Sequence, residues 1–372
     1  MTLTPAEVAE RSEAFAPRLR EHLAPTPFVP YSAFGEDLGA ELLVKCEHLQ
    51  RTGSFKARGA MAKILTLTDA ERSAGVVTAS TGNHGLGVGN ALATLGGHGI
   101  VYLPETASPS KVAALRRLGL ELRAEGNDSG VLEPKARAYA AEHGLTYVPP
   151  YNDPDIIAGQ GTVAVEIVEQ LASRPLDAVV VSVGGGGLIS GVAAVLKKQL
   201  PGIRVYGAQP AVDDAMAASV RAGEIVQIDA RQTLSDGTAG SVEPGSITFD
   251  LCRELVDDWV LVEEDAIREA LRLVIDTEHQ LIEGSAALAF AAARQRRTEL
   301  AGKRVAVVSC GGNMSSSTLE VALGGGACYA PPHGALGGVV VGRQDSVLPP
   351  SSALPSTPWD DARDGSTSER DL

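Results

Sequence analysis

Hydrophobic positions recur along this chain with two alternating periods. Val8, Phe15 and Leu19 recur at helical spacing behind Thr4-Pro5-Ala6-Glu7, where Thr4 can cap, Pro5 suits a first helical position and Glu7 stands at the capping-box position. This predicts a helix through about residue 23. Pro25, Pro27 and Pro30 then predict an extended connection. Residues 41–47 alternate, with Leu42, Val44 and Cys46 on one face, and predict a strand, while residues 55–67 predict a mostly apolar helix. From residue 75 the pattern becomes strand 75–79, helix 83–95, strand 99–103, a helix opened by Ser108 and Pro109 to about 118, strand 120–124 and helix 131–143. A second series follows Tyr151-Asn152-Asp153-Pro154, with helix 156–171, strand 178–182, a helix to about 200 and strand 203–207. Residues 211–258 mix helical and loop signals. Strand 259–262, helices from Asp265 and from Gly284, and strand 304–309 complete the pattern.

The alternation predicts an α/β fold with mainly parallel twisted sheets flanked by helices. Ligands bind such sheets outside the carboxyl ends of the strands. A length of 372 residues exceeds the size at which single cores stop growing, so two domains are expected. Order is expected to fade near Gly324, and the remainder, rich in Pro, Ser, Gly and Asp, has the composition of a disordered tail.

Composition narrows the function. A net charge of −14 argues against nucleic acid, which needs basic patches. No stretch approaches a membrane span, and the polar N-terminus lacks the apolar core of a signal peptide. Cysteines 46, 252, 310 and 328 are scattered without metal-ligand spacing, which suits a reducing cytoplasm better than a disulfide framework.

Four segments carry candidate chemistry. In Arg51-Thr-Gly-Ser-Phe-Lys-Ala-Arg-Gly59, turn residues lead into an apolar helix that opens at Phe55 and Lys56. An ammonium beside Phe55 at a helix start opposes the macrodipole and is hard to solvate, which pushes Lys56 towards the neutral amine that Schiff-base chemistry needs. A lone lysine is more commonly a solvated one whose stem covers its helix. Gly184-Gly185-Gly186-Gly187-Leu188 lies between a strand and a helix, where backbone N–H groups can converge on an anion. A permissive loop would use the same glycines. The spacing is not a dinucleotide fingerprint, because its third glycine falls at Ile189. Ser80-Thr81-Gly82-Asn83-His84 offers hydroxyls, an amide and backbone donors for a carboxylate, or ordinary helix capping. Cys310 ends the last strand ahead of Gly-Gly-Asn313, where a buried cysteine is usually an inert small hydrophobe.

Taken in order, Ser54-Phe-Lys-Ala-Arg-Gly-Ala60, Ser80-Thr-Gly-Asn-His-Gly85, Ser182-Val-Gly-Gly-Gly-Gly-Leu188 and Ser309-Cys-Gly-Gly-Asn313 resemble the motifs of fold-type II pyridoxal-phosphate enzymes, the tryptophan-synthase-β superfamily. The match is to the serine/threonine dehydratase and serine racemase branch and covers roughly residues 20–325. The resemblance implies a large domain, 1–68 plus 153–328, with a small domain, 69–152, inserted in it, a tail over 329–372, and pyridoxal 5'-phosphate in the cleft between the domains. It implies that Lys56 binds the cofactor covalently next to Phe55 and that residues 184–188 cradle its phosphate. Asn83 would contact its phenolic oxygen, and Cys310 would face its pyridine nitrogen. A thiol does not hold that nitrogen protonated, so prompt β-elimination fits better than long-lived carbanion chemistry. Ser80, Thr81, Gly82, Asn83 and His84 would take the substrate carboxylate, and Gly237 would stand on a loop over the site. Glu283 matches a glutamate near the cofactor, though a carboxylate there could equally serve the start of a helix.

Some positions depart from related patterns. A metal site is not expected, because Gln209 replaces a glutamate and Asp213-Asp214 are out of register. Racemases use a serine where this chain has Thr81, and threonine synthases an aspartate where it has Ala57. No regulatory domain, and hence no control by isoleucine, is expected after residue 325. The resemblance implies a cytoplasmic homodimer that converts L-threonine, L-serine or a related β-hydroxy amino acid to a 2-oxo acid and ammonia. Racemisation or β-replacement on the same fold, and non-catalytic amino-acid binding, are the alternatives.

Overall fold

The computed structural model describes residues 3–324 apart from Thr81, Ser108, Asn127, Asp128 and Ala230, and gives no side-chain surroundings for residues 129–131. The tail expected over 329–372 lies outside the described residues. Among the described residues two sheets form within one compact unit. The larger has strand order β1-β2-β10-β7-β8-β9. Its strands are β1 (Phe28–Pro30), β2 (Glu41–Cys46), β7 (Ala178–Ser182), β8 (Arg204–Pro210), β9 (Asp258–Val262) and β10 (Arg304–Ser309). All pair in parallel except β1, which runs antiparallel to β2. The smaller is wholly parallel, ordered β5-β4-β3-β6, with β3 (Val76–Ala79), β4 (Gly99–Leu103), β5 (Glu121–Ala124) and β6 (Thr146–Tyr147). Strands β3, β4 and β7 are buried along their whole length, as continuous apolar runs under helices on both faces should be.

The Thr4 capping box forms as expected: Glu7 N donates to Thr4 Oγ1 at 3.3 Å and Thr4 N donates to Glu7 Oε2 at 2.9 Å. Its helix ends at Arg20, short of the expected residue 23. The proline-rich connection is partly a strand. Val29 pairs with Val44, and the prolines are tolerated because β1 is an edge. Helix Asp69–Ala74 stands where no helix was expected, capped by a Thr68–Glu71 box, and Ala215–Ala222 and Ile247–Leu255 are the helical parts of the mixed region. Helix Ser316–Gly324 fills the stretch just before order was expected to fade.

The helix predicted over 55–67 runs Lys56–Thr66, with Phe55 as its N-cap. Two contacts fix its position. Helix Asn83–Leu95 crosses it so closely that a Cβ on Gly87 would lie 2.9 Å from Lys56 O. Beneath, buried Arg58 donates from Nε to Glu47 Oε2 and from Nη1 to Glu166 Oε1, each at 2.7 Å. Glu166 stands on helix Pro154–Leu171 and also accepts from Lys45 Nζ at 2.6 Å. Two cations and two carboxylates thus balance in the core under Lys56.

Candidate active site

The four segments converge on one cleft of about 1660 Å³ at the carboxyl ends of β3, β7 and β10. Lys56 reaches it through a turn of unusual backbone, with Thr52 at φ +71° and Gly53 at +74°. A side chain on Gly53 would strike Asn313, whose Oδ1 would lie 2.6 Å from the added Cβ. The turn is laced to the end of β10: Phe55 N donates to Cys310 O at 3.0 Å, Gly312 N donates to Gly53 O at 2.9 Å, and Ser54 bridges Gly311.

Lys56 Nζ donates to Pro150 O at 2.8 Å and lies 5.3 Å from the Phe55 ring centre. Burial lowers its pKa to about 8, against the pull of Glu133, Cys310 and Glu283 in the other direction. Burial thus acts on Lys56 in the direction expected from its local sequence.

Gly184 to Gly187 follow β7 and lead into helix Gly187–Gln199. Gly186 is left-handed at φ +84°, and an added Cβ there would meet Cys252 Sγ at 2.9 Å. On Gly185 it would lie 2.5 Å from Tyr151 Cγ. Thr248 Oγ1 donates to Gly185 O at 2.7 Å and holds the loop from below. The N–H groups of the four glycines meet no acceptor among the described residues. Free donors converging at the start of a helix form an anion cradle. Leu188 is buried at the first turn of that helix.

Across the cleft, Gly82 caps helix Asn83–Leu95, and Gly82 N donates to Ser80 Oγ at 3.2 Å. Thr81 lies outside the described residues. His84 is buried, with Nε2 3.1 Å from Val148 O. Burial, and then Lys56, push its pKa down to about 3, so the ring is neutral. Asn83 Nδ2 donates to Glu283 Oε1 at 2.9 Å, and Glu283 Oε2 accepts from Asn313 N at 3.0 Å. Glu283 is the N-cap residue of helix Gly284–Gln295, yet its side chain makes no capping bond and turns to the cleft instead. Burial lifts its pKa to about 7. Cys310 lines the same floor, and burial raises its thiol well above the ordinary range, so it stays protonated. Gly237 lies against Ser285, whose Oγ would be 2.7 Å from an added Cβ.

Sequence reasoning missed several lining residues: Glu133 and Arg137 on helix Ser129–Glu142, Tyr151 over the glycines, and Glu243. Tyr151 carried the clearest signal, since Pro149-Pro150-Tyr151-Asn152-Asp153-Pro154 is a rigid polar connection. Away from the cleft floor, Gln209 Oε1 accepts from Ala217 N at 2.7 Å and Asp213 Oδ2 from Gly240 N at 2.9 Å.

The model of the family described as pyridoxal-phosphate dependent enzymes matches residues 19–311. The chain belongs to this family. L-threonine dehydratase catabolic TdcB of Escherichia coli strain K12 is 41% identical over 289 residues, 77% of this chain and 87% of that one. L-threo-3-hydroxyaspartate ammonia-lyase of Saccharomyces cerevisiae is 35% identical over 308 residues, 83% and 94% of the two chains. Among solved structures, the processed form of threonine deaminase isoform 2 from Solanum lycopersicum superposes with a TM-score of 0.80 at 33% identity, over 85% of this chain and 86% of that one. The α/β architecture is thus that of the fold-type II pyridoxal-phosphate enzymes, whose cofactor is pyridoxal 5'-phosphate. The residues present fit that group, because the cradle supplies uncommitted donors where a phosphate needs them and Lys56 supplies an amine that titrates near neutrality.

Proposed function

We propose that this chain is a pyridoxal-phosphate ammonia-lyase that converts L-threonine, L-serine or a related β-hydroxy amino acid to a 2-oxo acid and ammonia by β-elimination. The observation that carries the reading is Lys56 Nζ, held at Pro150 O with its pKa brought down to about 8. The names of the relatives point the same way.

Bound pyridoxal phosphate supplies an electron sink that acidifies the substrate Cα. The backbone of Gly184 to Leu188 would hold its phosphate and thereby its orientation. Lys56 Nζ would hold it covalently and, as a free amine, is the base placed to take the substrate Cα proton. An amine of pKa about 8 has a useful neutral fraction near neutral pH and still returns the proton readily. Ser80, Gly82 and Asn83 would hold the substrate carboxylate at a helix start, with His84 behind them, and Thr81 belongs to the same proposed set. Cys310, a neutral thiol on the cleft floor, would leave the ring nitrogen of the bound group unprotonated, which favours expulsion of the β-hydroxyl over a lasting carbanion. With the proton that Lys56 Nζ takes from Cα the hydroxyl would leave as water, and the released enamine would take up water to give the 2-oxo acid and ammonia.

The test is an absorbance spectrum of the purified protein followed by ammonia and 2-oxo acid assays on β-hydroxy amino acids. A visible cofactor band with ammonia release supports the reading. A band without product from any of them removes the lyase assignment.

We further read the chain as a cytoplasmic homodimer. Cys46, Cys252 and Cys310 are buried and unpaired, which suits a reducing compartment. Leu49 and Leu281, which adjoin the His48–Gln280 pair that meets at 3.3 Å, are 57% and 50% exposed, which supports an apolar contact with a second copy. The confinement of the smaller sheet to residues 76–147 supports a small domain over 69–152 inserted into a larger one, 1–68 plus 153–328.

A further inference from the structure

The wall of the cleft beside Lys56 is polar, and its charges are unevenly paired. Helix Ser129–Glu142 presents Glu133 and Arg137 to the cleft, four residues apart and so on one face. Arg137 is committed. Its Nη2 donates to Glu243 Oε1 at 2.7 Å, and its guanidinium stands 4.6 Å from the Tyr147 ring centre. Glu243 is committed as well: Oε2 accepts from Asn152 Nδ2 at 2.8 Å, and its N–H donates to the Tyr151 hydroxyl at 2.8 Å. Glu133 is not. Among the described residues its carboxyl accepts no hydrogen bond and joins no ion pair, although it is part-buried and close enough to Lys56 to act on its charge. Burial, and then Glu243, raise its pKa, against the pull of Lys56 and Arg137.

A threonine methyl group offers Glu133 nothing, and leaving the carboxyl covered and unbonded costs binding. A substrate carboxylate, as in 3-hydroxyaspartate, would be repelled by it. An amine or amide nitrogen beyond Cβ would satisfy it. We propose that Glu133 determines specificity, accepting a hydrogen bond from a nitrogen donor on the substrate side chain. The preferred substrates are then β-hydroxy amino acids that carry an amine or amide at Cγ or beyond. This rests on the ammonia-lyase reading and names its substrate class.

The experiment compares kcat/KM for threonine, 2,4-diamino-3-hydroxybutanoate, 3-hydroxyasparagine and 3-hydroxyaspartate in the wild-type holoenzyme, Glu133→Gln and Glu133→Leu. In the wild type the two nitrogen-bearing substrates should exceed threonine by about tenfold or more, with 3-hydroxyaspartate lowest. Glu133→Leu should reverse the order in favour of threonine, while Glu133→Gln keeps 3-hydroxyasparagine and loses the amine. A wild type that prefers threonine, or a ranking that Glu133→Leu leaves unchanged, overturns the proposal. The visible band of the bound cofactor reports that each variant is folded and loaded. Its change on titration gives affinities for the same series without turnover. If no substrate yields 2-oxo acid, the lyase reading fails, while the ranking of affinities still decides the role of Glu133.

Discussion

Asn83 and Glu283 meet across the cleft, the Asn83 amide donating to both carboxylate oxygens at 2.9 and 3.1 Å. Asn83 opens the helix that follows β3 of the smaller sheet, and Glu283 precedes a helix packed on the larger one. The pair therefore links elements of the two sheets across the cleft. Asn313 joins it twice, through its N–H to Glu283 and through Nδ2 to Asn83 Oδ1 at 2.7 Å.

The buried carboxyl of Glu283 should make stability depend on pH. Its pKa is raised by burial from 4.5 to about 7 in the folded chain. Between these values the folded state binds more protons than the unfolded one, so stability falls as pH rises and levels off above about 7. Below about pH 4.5 the effect is absent. In Glu283→Gln this slope should be missing. The variant's stability relative to wild type should therefore improve from pH 5 to pH 8, by about 3 kcal/mol at most. Urea unfolding of both cofactor-free proteins across that range measures it, and parallel profiles would contradict it.

Lys56 should trade stability for chemistry. Its pKa is lowered to about 8 by burial, so at neutral pH the folded apoprotein bears the cost of a desolvated ammonium. Lys56→Met should abolish turnover and the visible cofactor band, yet raise the stability of the apoprotein at pH 7 by up to about 3 kcal/mol. The gain should shrink as pH rises from about 8 towards 10.5, where the folded amine has already lost its proton. Thermal unfolding at pH 7 and pH 10 reads both ends of that range.

Two glycines of similar sequence context should fail differently. Gly185 lies in the cradle, and an added Cβ would press on Tyr151, 2.5 Å from its Cγ. Gly185→Ala should chiefly weaken cofactor binding, seen as a higher cofactor concentration for half-saturation. Gly191 lies where helix Gly187–Gln199 crosses helix Pro154–Leu171, and its added Cβ would sit 2.5 Å from Gly161 N. Gly191→Ala should cost about 1–3 kcal/mol of stability by overpacking, with saturation unchanged where the protein remains folded.

The parts of the site that were legible in the sequence are those whose chemistry is local. Lys56 sits in one nonapeptide with its turn and its helix, and the glycine cradle needs only a strand end and a helix start. The helix from Asn83 was legible for the same reason, because its strand and turn adjoin it. Glu133 and Tyr151 were not, since their role depends on segments brought together by tertiary packing: Tyr151 covers Gly185, 34 positions away along the chain. Strand β1 was obscured by prolines that only its edge position excuses. Helix Ser32–Leu38 lacked a start signal, because Tyr31 caps it without a side-chain bond; its end was marked by Gly39 at φ +68°.

Arg58 should be the residue under the site least open to conservative change. It is 1% exposed and donates to both oxygens of Glu47 and both of Glu166, at 2.7 to 2.9 Å. Glu166 also holds Lys45, so two cations face two carboxylates. Removing the guanidinium in Arg58→Ala leaves two buried carboxylates facing each other with one cation, and should cost about 3–5 kcal/mol. Arg58→Lys should recover only part of this, because an ammonium cannot span two carboxylates with a planar fork. The effect should reach the cleft, since Arg58 stands two residues beyond Lys56 on the same helix. Urea unfolding gives the stability loss, and the cofactor's visible band gives the displacement at Lys56. If Arg58→Lys matched wild type in both, the network would be filling space rather than fixing the helix that carries the lysine.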